Sequence, residues 1–367
     1  MSLDMNMGMN MNMGVDMNMG TDMNMDMNID KNIKNGLLEY HAISNDSLKQ
    51  LLDQVLAGGE VSKEQAIQLI HADLEPLCKA ADEIRKRFCG AVFDICTIIN
   101  GKSGRCSENC KYCAQAACYK TNAKEYPLLP IDEMVEQARY NHDRGMLRFS
   151  IVTSGRRLSE KEVDQVCEIV KRIKQEVGIE VCVSAGLLDQ RCFQKLHDAG
   201  VTRVHNNLES SEHYFPSVCS THTYEDKKNA IRAARAAGMN ICSGGIIGLG
   251  ESWEDRIDLA LTLRELGVKS IPVNVLSPIL GTPYEHNVVL SEAEVLRTLA
   301  IFRFLNPDAS IRMAGGRIEL PDKGRKCFES GANAAISGDM LTTSGNTIAK
   351  DLAMLHSLGY EMGLYTR

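Results

Sequence analysis

From residue 91 onward, short apolar runs rich in β-branched side chains alternate with longer stretches whose apolar positions recur at helical spacing. The first kind of run suits a strand buried on both faces and the second an amphipathic helix. Their alternation predicts a parallel sheet crossed by helices. The strand candidates are residues 91–99, 147–152, 180–185, 203–209, 240–247, 270–276, 310–315 and 333–338. Between them the pattern predicts helices such as Ser159 to Val177, Tyr224 to Ala237, Trp253 to Leu266 and Ala293 to Phe304. Several end at a glycine, Gly178, Gly200, Gly238 or Gly267, where a helix C-terminus favours left-handed backbone. Eight strand–helix units predict a (β/α)8 TIM-type barrel, an α/β fold whose active site lies at the C-terminal ends of the strands.

Upstream of the barrel, apolar residues recur at helical spacing from Ser47 to Leu56 and from Lys63 to Ile70, on either side of Gly58-Gly59. Two short helices are expected there. Residues 1–35 hold eleven of the eighteen methionines in Met-Asn repeats with no helical or strand period. A disordered leader is expected. The chain therefore divides into a leader at 1–35, an N-terminal helical segment at 36–89 and the barrel at 90–367.

Composition narrows the function. A net charge of −7 over 367 residues argues against a nucleic-acid partner. No apolar run approaches the ~20 residues of a membrane span, and the N-terminus lacks the basic start and apolar core of a secretory signal. The thirteen cysteines are then expected to stay reduced in the cytoplasm, where cysteine clusters more often bind metals than form disulfides.

Barrel interiors are filled by branched apolar residues, yet these strands carry Cys182, His205, Asn207, Glu209, Cys242, Asn274 and Arg312. Residues two apart share a strand face, so His205, Asn207 and Glu209 point together. Polar groups on several strands imply a barrel filled by ligand, since buried amides and charges need partners. After the first strand come Cys106, Cys110 and Cys113 at CxxxCxxC spacing. Thiolates favour zinc, copper(I) or iron–sulfur clusters. A structural zinc site closes with four protein ligands, and only Cys118 stands nearby as a fourth. A cubane cluster on three cysteines keeps one iron open for a small molecule.

With Tyr112 just before the last cysteine, the string KSGRCSENCKYCAQ resembles the motif of radical S-adenosylmethionine (SAM) enzymes, and of the biotin synthase family in particular, over residues 90–365. The resemblance implies a 4Fe-4S cluster on Cys106, Cys110 and Cys113 that binds and cleaves SAM. It implies an auxiliary iron–sulfur cluster, 2Fe-2S or a cubane 4Fe type, that donates sulfur to dethiobiotin, and it assigns Cys182, Cys242 and Arg312 to that cluster. A further family cysteine in the second strand is replaced here by Ser150, and Cys219 is the expected substitute. Tyr112, Asn207, Glu209, Lys227, Gly244 and Ile246 are expected at SAM. Asn207, Asn274, Thr342 and Thr343 are expected at dethiobiotin. No side-chain acid–base pair is required, because the cofactor carries the radical. A flavodoxin- or ferredoxin-type electron donor and a homodimer complete the expectation. Other radical SAM enzymes of the subgroup, hydrogenase maturase or methylornithine synthase, are the alternatives, followed by a non-catalytic iron–sulfur or zinc protein. Cys78, Cys89, Cys167, Cys192 and Cys327 read as small buried apolar residues, while Cys96 and Cys118 stay open as neighbours of the site.

Overall fold

The computed structural model describes residues 43–338 and 347–365. Thr342 and Thr343, and the leader at 1–35, lie outside the described residues. Eight parallel strands close into a barrel, as the pattern predicts. They are β1 (Val92–Lys102), β2 (Arg148–Thr153), β3 (Glu180–Ser184), β4 (Val201–His205), a fifth strand in two pieces, β5 (Asn240–Cys242) and β6 (Gly245–Ile247), then β7 (Ser270–Val275), β8 (Ser310–Met313) and β9 (Ala334–Ile336). Neighbours pair in chain order, and β9 returns to β1 through Asp94↔Ala334, Ile95↔Ala335 and Cys96↔Ile336.

The largest differences from the expected strands fall at one place. The predicted 203–209 strand stops at His205, and the predicted 240–247 strand breaks at Ser243 and Gly244. Here the chain passes too close to its neighbours for regular pairing. A Cβ on Gly244 would lie 1.9 Å from the Pro272 carbonyl oxygen, and one on Gly245 would lie 2.5 Å from that of Glu209. Glu209 itself has a φ of 73°, a left-handed conformation that costs a residue with a Cβ. Backbone bonds from Glu209 to Gly244 and from Ile246 to Glu209, 3.1 and 2.8 Å, hold the crossing together. A two-residue β10 (Glu361–Met362), not foreseen in the sequence, pairs with β1 at Val92 and Phe93.

The outer helices form where serine and threonine caps say they should. α5 (Glu160–Glu176), α8 (Tyr224–Ala236), α9 (Trp253–Glu265) and α10 (Glu292–Leu305) each start from a capping box, on Ser159, Thr223, Ser252 and Ser291. The others are α4 (Ile131–His142), α6 (Gln190–Asp198), the single-turn α7 (Phe215–Val218) and α11 (Arg325–Phe328), and α12 (Ile348–Ser357). Before the barrel stand α1 (Asn45–Leu56), α2 (Lys63–Leu69) and a third helix, α3 (Leu74–Cys89), which holds Cys78 and Cys89. α3 buries Leu77, Ala80, Ala81 and Ile84 and packs on α10. The segment is pinned to the barrel's helical ring by the Lys63–Asp258 ion pair, 2.7 Å, and by Arg297 donating to the Ala72 carbonyl at 2.6 Å. Among the described residues, no helix is long and apolar enough to cross a membrane.

Candidate active site

The loop after β1 is built to present cysteines. Gly104 and Arg105 both take positive φ, 76° and 50°, and turn the chain out of the strand. The buried Gln115 side chain then accepts from the Gly104 N–H at 3.1 Å, while the Cys106 N–H donates to the Gln115 carbonyl at 3.0 Å. This stitching explains why the motif includes SGR before the first cysteine and Gln after the last. Cys106, Tyr112 and Cys113 face a cavity of about 380 Å³ inside the barrel mouth, within the ~300–1,000 Å³ usual for small-molecule sites.

The mouth has one apolar and one polar wall. Ile246, Leu249, Leu276 and Tyr284 make a small apolar cluster with Tyr112 packed on it, the kind of surface a flat heterocycle covers. Beside it, Asn207 Oδ1 accepts from the Gly244 N–H at 3.1 Å, and Asn207 Nδ2 lies 3.4 Å from Glu209 Oε2. Burial, followed by the charge of Glu209, pushes the Tyr112 phenol well above its ordinary pKa. The loop behind Gly244 is closed by Glu251, which accepts from the Gly248 N–H at 2.9 Å and from Arg256 Nε at 2.6 Å. Asn274 clamps two strands: its Nδ2 donates to the Gly245 carbonyl at 3.0 Å, and its Oδ1 accepts from the Gly315 N–H at 2.9 Å.

Below these residues the cavity is lined by Cys96, Ser150, Cys182, Cys242 and three buried arginines, Arg148, Arg203 and Arg312. All three guanidinium groups surround one buried carboxylate, Asp94, with N–O distances of 3.7, 3.4 and 3.0 Å respectively. Burial alone would raise the Asp94 pKa, but Arg312, Arg203 and Arg148 outweigh it and hold the carboxyl at about 2. Burial likewise opposes the Cys242 thiolate, yet His205, Arg312 and Arg203 bring that thiol below its ordinary range. The Nε atoms of all three arginines are buried without a hydrogen-bond acceptor. Soft thiols beside uncompensated positive charge and unpaired N–H donors fit an anionic iron–sulfur cluster. The mouth, with three cysteines on one loop, fits the SAM cluster.

The expectation that Cys219 joins Cys182 and Cys242 is not met. Its Sγ lies 3.6 Å from that of Cys110 and 3.3 Å from His222 Nδ1, above the barrel and against the CxxxCxxC loop. The segment after α7 is tied there by Lys111 N–H donating to the Val218 carbonyl, 3.0 Å, and by Asn109 accepting from the Ser220 N–H, 3.0 Å. The Cys110 thiol, then His222 and Thr221, hold Cys219 toward its thiolate. Lys227 does not line the cavity; it is half-buried on α8, and its charge reaches Cys110, His205 and His222. Cys118 is exposed. Sequence reasoning did not single out Asp94, Arg148, Arg203 or the buried His222–Glu108 pair, 2.5 Å. The signal for the two arginines was present, since each stands two residues before a singled-out strand position and shares its face.

Comparison with known proteins agrees with this geometry. Residues 72–263 match the model of the radical SAM superfamily, and residues 272–361 match the biotin and thiamin synthesis associated domain. Biotin synthase 2 of Corynebacterium diphtheriae is 58% identical over 87% of this chain and 97% of its own length. The biotin synthases of Brachyspira hyodysenteriae and Akkermansia muciniphila are 54% and 56% identical over 87% and 85% of this chain, covering 96% and 97% of theirs. Among solved structures, methylornithine synthase superposes with a TM-score of 0.76 at 19% identity, over 86% of this chain and 98% of its own. The FeFe-hydrogenase maturase of Carboxydothermus hydrogenoformans gives 0.73 at 18%, over 86% and 79%. At those identities the structures speak for the barrel alone, but the sequence relatives speak for more: the chain belongs to the biotin synthase family of radical SAM enzymes.

Proposed function

We propose that this enzyme inserts sulfur into dethiobiotin to make biotin, using SAM as the radical source. The observation that carries the reading is a single cavity with Cys106 and Cys113 at its mouth and Cys182, Cys242 and Arg312 at its depth. Cys106, Cys110 and Cys113 would hold a 4Fe-4S cluster, which would supply the electron for splitting SAM to a 5′-deoxyadenosyl radical, and Cys182, Cys242 and Arg312 would face an auxiliary cluster, which would supply the sulfur.

The chain's own residues bind, orient and exclude water. Tyr112 and Ile246 offer the adenine an apolar wall, the glycines at 244 and 245 let the backbone approach the nucleoside, and Glu209 accepts from the ribose hydroxyls. Asn207 and Asn274 present amide donors and acceptors to the ureido ring of dethiobiotin. Each is already held by one or two backbone bonds, so its free lone pair or N–H is fixed in direction before substrate arrives. Thr342 and Thr343 serve the substrate carboxylate, and Lys227 lends positive charge near the SAM carboxylate. No side chain has to take a proton, because the reacting C–H bonds are broken by the radical. Enclosure in the barrel keeps that radical from solvent.

The reading extends to the partners. A flavodoxin- or ferredoxin-type donor supplies the low-potential electron, the enzyme works as a homodimer, and its free thiols suit the reducing cytoplasm. Three thiolates suit an auxiliary cluster of the cubane type with Arg312 as its charge partner, because a 2Fe-2S rhomb wants four ligands in two pairs. Replacing Cys106, Cys110 and Cys113 together by alanine is expected to abolish 5′-deoxyadenosine formation under dithionite. A variant that still cleaves SAM would sink the reading.

A further inference from the structure

Strand register shows how the side chains of the deep cavity are stacked. In a (β/α)8 barrel the interior is built of layers of four, contributed by alternate strands. Each strand is offset, so a layer advances two residues in register for every second strand. Cys96 on β1 pairs with Arg148 on β2, which pairs with Glu180 on β3; two residues on is Cys182. Cys182 pairs with Arg203 on β4, and Arg203 with Asn240 on β5; two residues on is Cys242. Cys242 pairs with Ser270 on β7, and Ser270 with Ser310 on β8; two residues on is Arg312. Arg312 pairs with Ala334 on β9, and Ala334 with Asp94 on β1; two residues on is Cys96 again. The four residues make one closed layer.

We infer that Cys96 is the third thiolate of the auxiliary cluster, completing a ring of Cys96, Cys182, Cys242 and Arg312 around the barrel axis. Ser150 belongs to the layer above. By the same register count it lies with His205, Pro272 and Ile336. The thiol missing from β2 is thus made up one strand away and one layer deeper, and not by the loop that carries Cys219. Two observations independent of register agree. Arg312 Nη1 reaches across β9 to Cys96 Sγ at 3.2 Å, so the sulfur already lies against the guanidinium assigned to the cluster. The buried Nε atoms of Arg148, Arg203 and Arg312 also lack acceptors, which the sulfides of an anionic cluster would satisfy. On binding, each thiol loses its proton to solvent as its sulfur–iron bond forms, and no redox change of the protein is needed.

The inference rests on the biotin synthase reading, and the experiment separates the two. Full-length protein is reconstituted anaerobically with iron and sulfide, and its clusters are resolved by Mössbauer spectroscopy and iron count. Cys96→Ala and Cys96→Ser are expected to lose the auxiliary component while still forming 5′-deoxyadenosine from SAM. Cys219→Ala and Ser150→Ala are expected to keep the auxiliary iron. The serine variant preserves volume, so its loss is not a packing failure, and thermal melts by circular dichroism confirm that each variant is folded. Auxiliary iron retained in Cys96→Ala, or lost in Cys219→Ala alone, overturns the assignment. Unsubstituted protein with no iron beyond the SAM cluster overturns the parent reading with it.

Discussion

Glu209 is held in left-handed backbone, φ 73°, at the point where two strands cross, and its carboxylate faces the cavity. A glycine would adopt that backbone without cost, so a charged side chain there marks function over stability. Glu209→Gly is expected to relieve about 1 kcal/mol of backbone strain and still bind SAM more weakly, read by thermal melts alongside equilibrium dialysis. A variant with unchanged SAM affinity would remove Glu209 from the SAM site. Asn274 carries the opposite balance, since its amide both clamps strands and lines the cavity. Asn274→Ala is expected to weaken dethiobiotin binding by about 1–3 kcal/mol, the usual consequence of an unmet buried polar group, with SAM cleavage retained; undiminished dethiobiotin affinity would count against the ureido assignment. At this scale the alternation of His205, Asn207 and Glu209 was legible, because period two survives even where regular strand geometry stops. Cys96 was not, because a thiol in a strand looks like any small apolar residue until register is known. Cys219 misled for a related reason: its sulfur is held partly by Asn109 and Cys110, 110 and 109 residues earlier in the chain.

Elements announced by capping and by uninterrupted apolar runs were legible, whereas the broken fifth strand depends on what packs against it. The capping box of α9 also bears on the site. Asp255 closes that box on Ser252, accepting from its N–H at 2.9 Å, and reaches back to accept from the Ser211 hydroxyl at 2.6 Å, just after Glu209. Burial opposes its charge, but Ser211, Ser252 and His213 outweigh burial and hold the carboxyl at about 2, below its ordinary 3.8. A folded-state pKa lowered in this way contributes stability that is complete above about pH 4 and is lost as pH falls through 2, up to about 2 kcal/mol. Acid titration of unfolding is expected to show this dependence in the parent and lose it in Asp255→Asn. Identical acid profiles would show that the carboxylate does not stabilise the turn.

The molecule as a whole is a ring of strands around a positively charged depth. Three guanidinium groups face Asp94, the one carboxylate within ion-pair distance of all three among the described residues. Uncompensated buried charge opposes folding, and any anion bound only by the native state adds stability in proportion to its affinity and concentration. Protein carrying its clusters is therefore expected to melt higher, and to resist thermolysin longer, than the same chain stripped by chelator and reductant. Equal melting temperatures would mean that Asp94 alone balances the depth. If the difference is found, the arginines do more than shape a site: they tie how long each copy of the enzyme survives to how much iron and sulfide its cell can supply, so that scarcity removes idle protein before it is ever asked to work.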